Sequence, residues 1–199
     1  MLRKAVYSIF IGGALIGTIS LVRCNNAPAA EQSTGTKDSS QASKPDLVER
    51  GKYLVTTMGC NDCHSSKKMG PQGPVIDSAN MLAGCLETNP LPTFEADAVK
   101  KGLVVMLPTM TAFMGPWGTS FAANLTPDST GIGSWSLDQF KKALREGKYK
   151  GLEGSRPLMP PMPWQNYVTM TDEDAEAVFT YLKSIKPVKN RVPTFRPMN

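Results

Sequence analysis

The sequence predicts an all-α domain: three or more helices joined by long irregular loops. Three observations carry this. Three segments pair a capping residue with an apolar stripe at helical spacing. No segment alternates polar and apolar residues over a strand's length. The 199 residues include 16 Pro and 17 Gly, which favours loops over long elements.

The first helix is expected from Asp46 as N-cap, with Leu47, Leu54 and Met58 at helical spacing before Gly59. Ser136 opens the second, and Gln139 three residues on completes a capping box; Phe140, Ala143 and Leu144 form its apolar side and Gly147 its stop. Thr171 caps the third, with Asp174 in the matching position. Its stripe is Ala175, Val178, Phe179, Leu182 and Ile185, and Pro187 lies just beyond. Residues 65–133 are rich in Pro and Gly and read as mostly irregular. A connection that long needs something to pin it, and a large apolar cofactor is such a pin.

Residues 1–24 read as an export signal or membrane anchor. Arg3 and Lys4 precede an uncharged run at 5–22 that is longer than a secretory core and slightly short for a spanning helix. Leu21-Val22-Arg23-Cys24 resembles a lipoprotein site, so either a lipid on Cys24 or an uncleaved helix is expected to anchor the chain. Simple cleavage would instead release it. Residues 25–45 hold no large apolar side chain and read as a flexible linker, spanning about 25 Å on average. The folded domain is expected over 46–199.

Cys60-Asn61-Asp62-Cys63-His64 fits Cys-x-x-Cys-His, the signal for covalent haem attachment. Two thiols at this spacing reach two vinyl groups on one porphyrin edge, and the next residue places its imidazole beneath the iron. A thioredoxin-like pair would want a strand before the motif, and an amphipathic helix stands there instead. A structural zinc site needs four ligands, and adjacent Cys63 and His64 would struggle to converge on one tetrahedral ion. A plain Cys60–Cys63 disulfide is strained.

His64 is the only histidine among 199 residues, so ligation by two histidines of one chain is excluded. The sixth iron ligand is then Met, a weaker donor such as Lys, or nothing. Of eleven methionines, Met58 and Met69 flank the attachment site and would struggle to reach the far haem face. Met106, Met110 and Met114 read as packing. Met159 and Met162 lie among prolines in Leu158-Met159-Pro160-Pro161-Met162-Pro163-Trp164, where the backbone is restrained. A thioether from either would stabilise reduced iron and raise the potential.

From Asp46 onward the chain resembles a class I-type cytochrome c domain. It is most similar to the cytochrome subunits of bacterial membrane-bound dehydrogenases. Segments similar to Asn124-Leu125-Thr126-Pro127-Asp128, Gly131-Ile132-Gly133-x-Trp135, Met162-Pro163-Trp164 and Thr171-x-Glu173-Asp174 recur there in this order. The resemblance implies a small cytochrome c-like fold around one covalent haem c. It also implies Met162, followed by Pro and an aromatic, as the iron's methionine. A proline carbonyl after the motif accepts the histidine N–H in that family, which points to Pro74, or else Pro71. Trp135 and Trp164 are expected to line the haem crevice, Phe179 and Tyr181 to pack near Tyr53, and Arg156 is a candidate partner for a propionate. Many of the family's subunits carry two or three haems, whereas this chain has one motif. Residues 79–118 look longer than the matching loop of a minimal cytochrome, a cover or partner surface. Cys85 within it reads as a buried free thiol, or as a disulfide partner of Cys24.

The formal charge of +5 carries little weight. Three of the 22 basic residues lie in the first 24 positions, which hold no acid, leaving +2 for the rest. Two ionised haem propionates bring this near zero, so no nucleic-acid partner is expected. The reading is electron transfer by a His/Met-ligated haem, without catalysis or a small-molecule substrate. It takes place on the periplasmic side of a bacterial membrane, with a dehydrogenase, a quinol-oxidising complex or a terminal oxidase as partner. The alternatives are a small haem enzyme such as a peroxidase, and a structural subunit of a larger complex.

Overall fold

The computed structural model describes residues 43–91, 93 and 96–198. The anchor expected at 1–24 and nearly all of the linker at 25–45 lie outside the described residues. Among the described residues no helix is long and apolar enough to cross a membrane.

The helices are α1 (Lys44–Thr57), α2 (Cys60–His64), α3 (Ala96–Lys100), α4 (Leu137–Glu146) and α5 (Asp172–Ser184). All three expected long helices are present as α1, α4 and α5, but their caps differ in detail. Ser43, not Asp46, is the N-cap of α1; Asp46 is the third helical residue and returns its carboxylate to the Ser43 amide at 3.2 Å. The domain thus takes in the last residues assigned to the linker. Ser136 and Thr171 do cap α4 and α5. Their partners turn elsewhere: the Gln139 amide donates to the Lys150 carbonyl at 2.8 Å, and Asp174 pairs with Arg50 at 2.9 Å.

The all-α expectation fails in the middle of the chain, where two small sheets form. Strands β1 (Lys67–Gly70) and β2 (Gly73–Ile76) make a hairpin directly after the attachment motif. Strands β3 (Val105–Met106), β4 (Ala112–Gly115) and β5 (Gly118–Phe121) make an antiparallel sheet in that order. The C-terminal tail bridges to β5 through Thr119 and Arg196. Period-two alternation is missing because β4 and β5 are covered on both faces, which removes the half-buried signature of a strand. The region 65–133 is therefore less irregular than its composition implies.

The core gathers where α1 crosses α5. Val55, Leu82, Ile132, Phe140, Leu144, Val178 and Leu182 are all buried in one cluster. The crossing is close because Gly51 has no side chain: a Cβ there would overlap the Ala177 carbonyl and the Tyr181 Cβ. Tyr181 thus packs on α1 as expected, whereas the Phe179 ring lies 5.2 Å from that of Phe140 on α4. Arg156 stacks on the Tyr149 ring at 3.9 Å. Cys85 is fully buried and unpaired among the described residues, in a second cluster with Leu107 and Ala112.

Gly51→Ala is expected to destabilise the domain by about 2–3 kcal/mol through overpacking against backbone. Arg50→Ala, which removes a solvent-accessible ion pair with Asp174 and a contact over the exposed Tyr53 ring, costs about 1 kcal/mol or less. Thermal unfolding followed by circular dichroism separates the two.

Candidate haem site

Gly59 makes the site possible. Its φ of 68° lies in the left-handed region, which glycine enters without penalty. There α1 ends and the chain turns into the short helix α2, so Cys60, Cys63 and His64 project from a single turn. All three are half-buried, and both thiols are unpaired. Burial pushes the Cys60 thiol up to about 11 and raises Cys63 as well. These are not the acidic thiols of a redox pair. Among the described residues no three His, Cys, Asp or Glu side chains gather to hold a metal ion.

His64 Nδ1 lies 2.7 Å from the carbonyl oxygen of Ala123. A carbonyl can only accept, so Nδ1 carries the proton. Burial lowers the His64 pKa, which favours the neutral ring and leaves the Nε2 lone pair free to bind a metal. The expected acceptor, Pro74 or Pro71, is not used. Pro74 sits in β2 opposite Met69, exposed on the hairpin, and Pro71 is in its turn. The β1–β2 pairing carries both prolines away, and a later segment supplies the carbonyl.

That segment is built with care. The Gly84 amide donates to the His64 carbonyl at 2.7 Å, and the Cys85 amide to the Ala122 carbonyl at 2.9 Å. The Leu125 amide donates to the Leu82 carbonyl at 2.8 Å. Residues 82–85 therefore lie between the attachment turn and the segment 122–125. The Leu82 amide is satisfied by the Ser65 hydroxyl at 2.8 Å, and Ser65 in turn donates to Asn61 of the motif at 2.8 Å. Lys67 places its ammonium on the carbonyls of Asn61 and Asp62, a favourable site for a cation at a helix C-terminus.

Around the thiols lies an apolar surface. Cys60, Leu125, Trp135, Met162, Tyr167 and Met170 all pack, partly buried, against the main core cluster. Cys60 and Met162 thus border one apolar region although about a hundred residues separate them. Met159 lends its carbonyl to the Met162 amide at 3.2 Å, closing a turn. The Trp164 indole covers Gly147 at the end of α4, where a Cβ would overlap the ring. Tyr167 was not anticipated. It packs on the same cluster as Cys60, and its pKa is raised by burial first and then by the thiols of Cys60 and Cys63.

Residues 48–186 match the family model described as Cytochrome c. The chain belongs to the cytochrome c family. A cytochrome c carries haem c through thioether bonds and moves electrons rather than turning over a substrate. The residues present fit that group: two unpaired thiols on one turn, an imidazole fixed by its Nδ1 proton, and an apolar surface beside them. The cytochrome is 33% identical over 144 residues to the gluconate 2-dehydrogenase cytochrome c subunit of Pantoea cypripedii, covering 71% of this chain and 24% of the relative. It is 30% identical over 143 residues to the fructose dehydrogenase cytochrome subunit of Gluconobacter japonicus, covering 71% and 22%. It is 28% identical over 151 residues to the cytochrome c subunit of the alcohol dehydrogenase (quinone) of Gluconobacter oxydans, covering 74% and 24%. This chain spans about a quarter of the length of these relatives.

The recurring segment Asn124–Asp128 now has a physical role in the cytochrome. Asn124 Oδ1 accepts from the Thr126 amide and hydroxyl at 2.9 and 2.8 Å, and its Nδ2 donates to the Val188 carbonyl at 2.9 Å. Asp128 accepts from the Thr130 amide and hydroxyl at 2.8 and 2.6 Å, which lowers its pKa. A carboxylate depressed in the fold adds stability above its unfolded pKa of about 4 and loses it as pH falls through the folded value. Asp128→Asn is therefore expected to lower stability at neutral pH and to flatten its fall in acid. Urea midpoints measured from pH 7 down to roughly pH 2 check this.

Proposed function

We propose that this chain is a single-haem electron carrier whose iron is held by His64 and Met162, with haem bound to Cys60 and Cys63. One observation carries the reading. Cys60 and Met162 border the same apolar cluster, while His64 is fixed with Nε2 as its free donor. When bound, haem c supplies a ferrous–ferric couple. The chain's own residues do the rest. His64 donates from Nε2 and keeps its orientation through Nδ1. Met162 offers a soft sulfur that favours the reduced state. Trp135, Tyr167 and Leu125 exclude water, which strengthens local electrostatics. Pro74 leaves this reading as an acceptor. Trp164, two residues after Met162, covers the end of α4 at Gly147.

The relatives' names point to a dehydrogenase as donor, and a quinol-oxidising complex or terminal oxidase suits the acceptor. Small, weak interfaces fit such exchange. The periplasmic face of a bacterial membrane, with a lipid on Cys24 or an uncleaved helix as anchor, is the location the sequence of residues 1–24 favours. A purely structural subunit of a dehydrogenase complex agrees with the same names. A peroxidase needs an open sixth position and a distal base. In this reading Met162 fills the first, and with His64 the sole histidine no imidazole is left for the second.

Optical spectra of the haem-loaded wild type, Met162→Leu and Met159→Leu test the assignment. Loss of the weak near-infrared sulfur–iron band and a lower midpoint potential are expected in Met162→Leu alone. Loss in Met159→Leu instead would reassign the ligand. Carbon monoxide binding by reduced wild type would favour the open-site alternative.

A further inference from the structure

We propose that Asn190, on the C-terminal tail beyond α5, is a positioning residue that sets the electron richness of the His64 ligand. The inference rests on His64 binding the haem iron. Asn190 is 5% exposed and spends its side chain on one short segment. Nδ2 donates to the carbonyls of Ala83 at 2.7 Å and Cys85 at 3.0 Å, and Oδ1 accepts from the Glu87 amide at 2.9 Å. Its own amide donates to the Thr130 hydroxyl at 2.9 Å. Its carbonyl accepts from Asn124 Nδ2 at 3.4 Å, so the tail is tied to both segments that support the histidine.

The path from Asn190 to the imidazole is short and made of buried backbone. Ala83, Gly84 and Cys85 form the piece that Asn190 grips. Gly84 donates to the His64 carbonyl, and Cys85 donates to the Ala122 carbonyl. A Cβ on Gly84 would overlap the Ala122 and Ala123 carbonyls, so the two segments lie in close contact. Ala123 is the acceptor of the His64 Nδ1 proton. Asn190 thus holds, from the far side, the piece against which that acceptor is seated. A firm N–H···O bond raises the basicity of a ligating histidine, which favours ferric iron and lowers the midpoint potential. Loosening the grip lengthens the bond and raises the potential.

A clamp that served stability alone would be indifferent to the iron. The test therefore reads the midpoint potential of the haem-loaded full chain beside its unfolding temperature. Asn190→Ala removes all three bonds. Asn190→Asp keeps the acceptor for Glu87 and removes both donors. Val99→Ala, which trims a buried side chain on α3 outside the haem site, is the control for general destabilisation. Both Asn190 variants are expected to shift the midpoint upward while Val99→Ala does not, and proton NMR should show altered hyperfine shifts for the His64 ring. Unchanged midpoints and ring shifts in folded Asn190 variants overturn the proposal. Should neither variant mature, hydrogen exchange in the wild type decides. A common protection of the Gly84, Cys85 and Glu87 amides with the His64 Nδ1 proton supports it, and independent exchange overturns it. A wild type without a histidine-ligated, low-spin spectrum removes the ligation reading itself, and this inference with it.

Discussion

The contact on which the rest of the site depends is the hydrogen bond between His64 Nδ1 and the Ala123 carbonyl. One 2.7 Å bond fixes the tautomer, the ring plane and the direction of the free lone pair. A histidine on a surface turn would otherwise sample several rotamers, each spoiling the approach to a metal. The bond is only as well placed as its acceptor, and a carbonyl in an irregular segment has no helix or sheet to hold it. The chain answers with residues 82–85, wedged between the attachment turn and the Ala122–Leu125 segment by backbone hydrogen bonds on both sides. Buried amides and carbonyls must find partners, so satisfying the wedge also aligns the acceptor.

A second constraint is the crossing of α1 and α5. Gly51 lets the helices approach until Ala177 backbone fills the space where a side chain would stand. Because α1 runs directly into Gly59 and α2, the crossing also fixes where the attachment turn begins. The methionine loop leads into α5, and its Trp164 packs on Gly147 at the end of α4, so the α1–α5 crossing and α4 together support the apolar region that Cys60 and Met162 border. A small domain rich in loops can hold a large cofactor this way, with few elements and many polar ties.

The parts legible in the sequence were those written locally. The attachment motif needs only five consecutive residues, and α4 and α5 announce themselves by a cap, a stripe and a stop. The end of α1 was plain at Gly59, but its start was misplaced by three residues because Asp46 could serve either as the cap or as the partner of a cap. The β3–β5 sheet was missed for a physical reason. Phe113, Thr119 and Ser120 are buried on strands covered from both sides, so no alternation betrays them. The acceptor for His64 was missed because any residue supplies a carbonyl, and the family's proline pointed to a stretch that here folds into a hairpin. Tyr167 carried a faint signal, an aromatic five residues after Met162, which only the fold brings to the thiols. Asn190 carried none, since its three bonds are to distant backbone.

Covalent attachment at the motif is the claim beneath all of this, and peptide mass answers it most directly. Protein matured in a periplasm competent for haem attachment is digested with trypsin, and the peptide from Tyr53 to Lys67 is weighed. The account requires that peptide to carry the mass of one haem, retained under denaturing conditions and bound through both Cys60 and Cys63. An unmodified peptide with two free thiols, from protein known to have been exported, would contradict it.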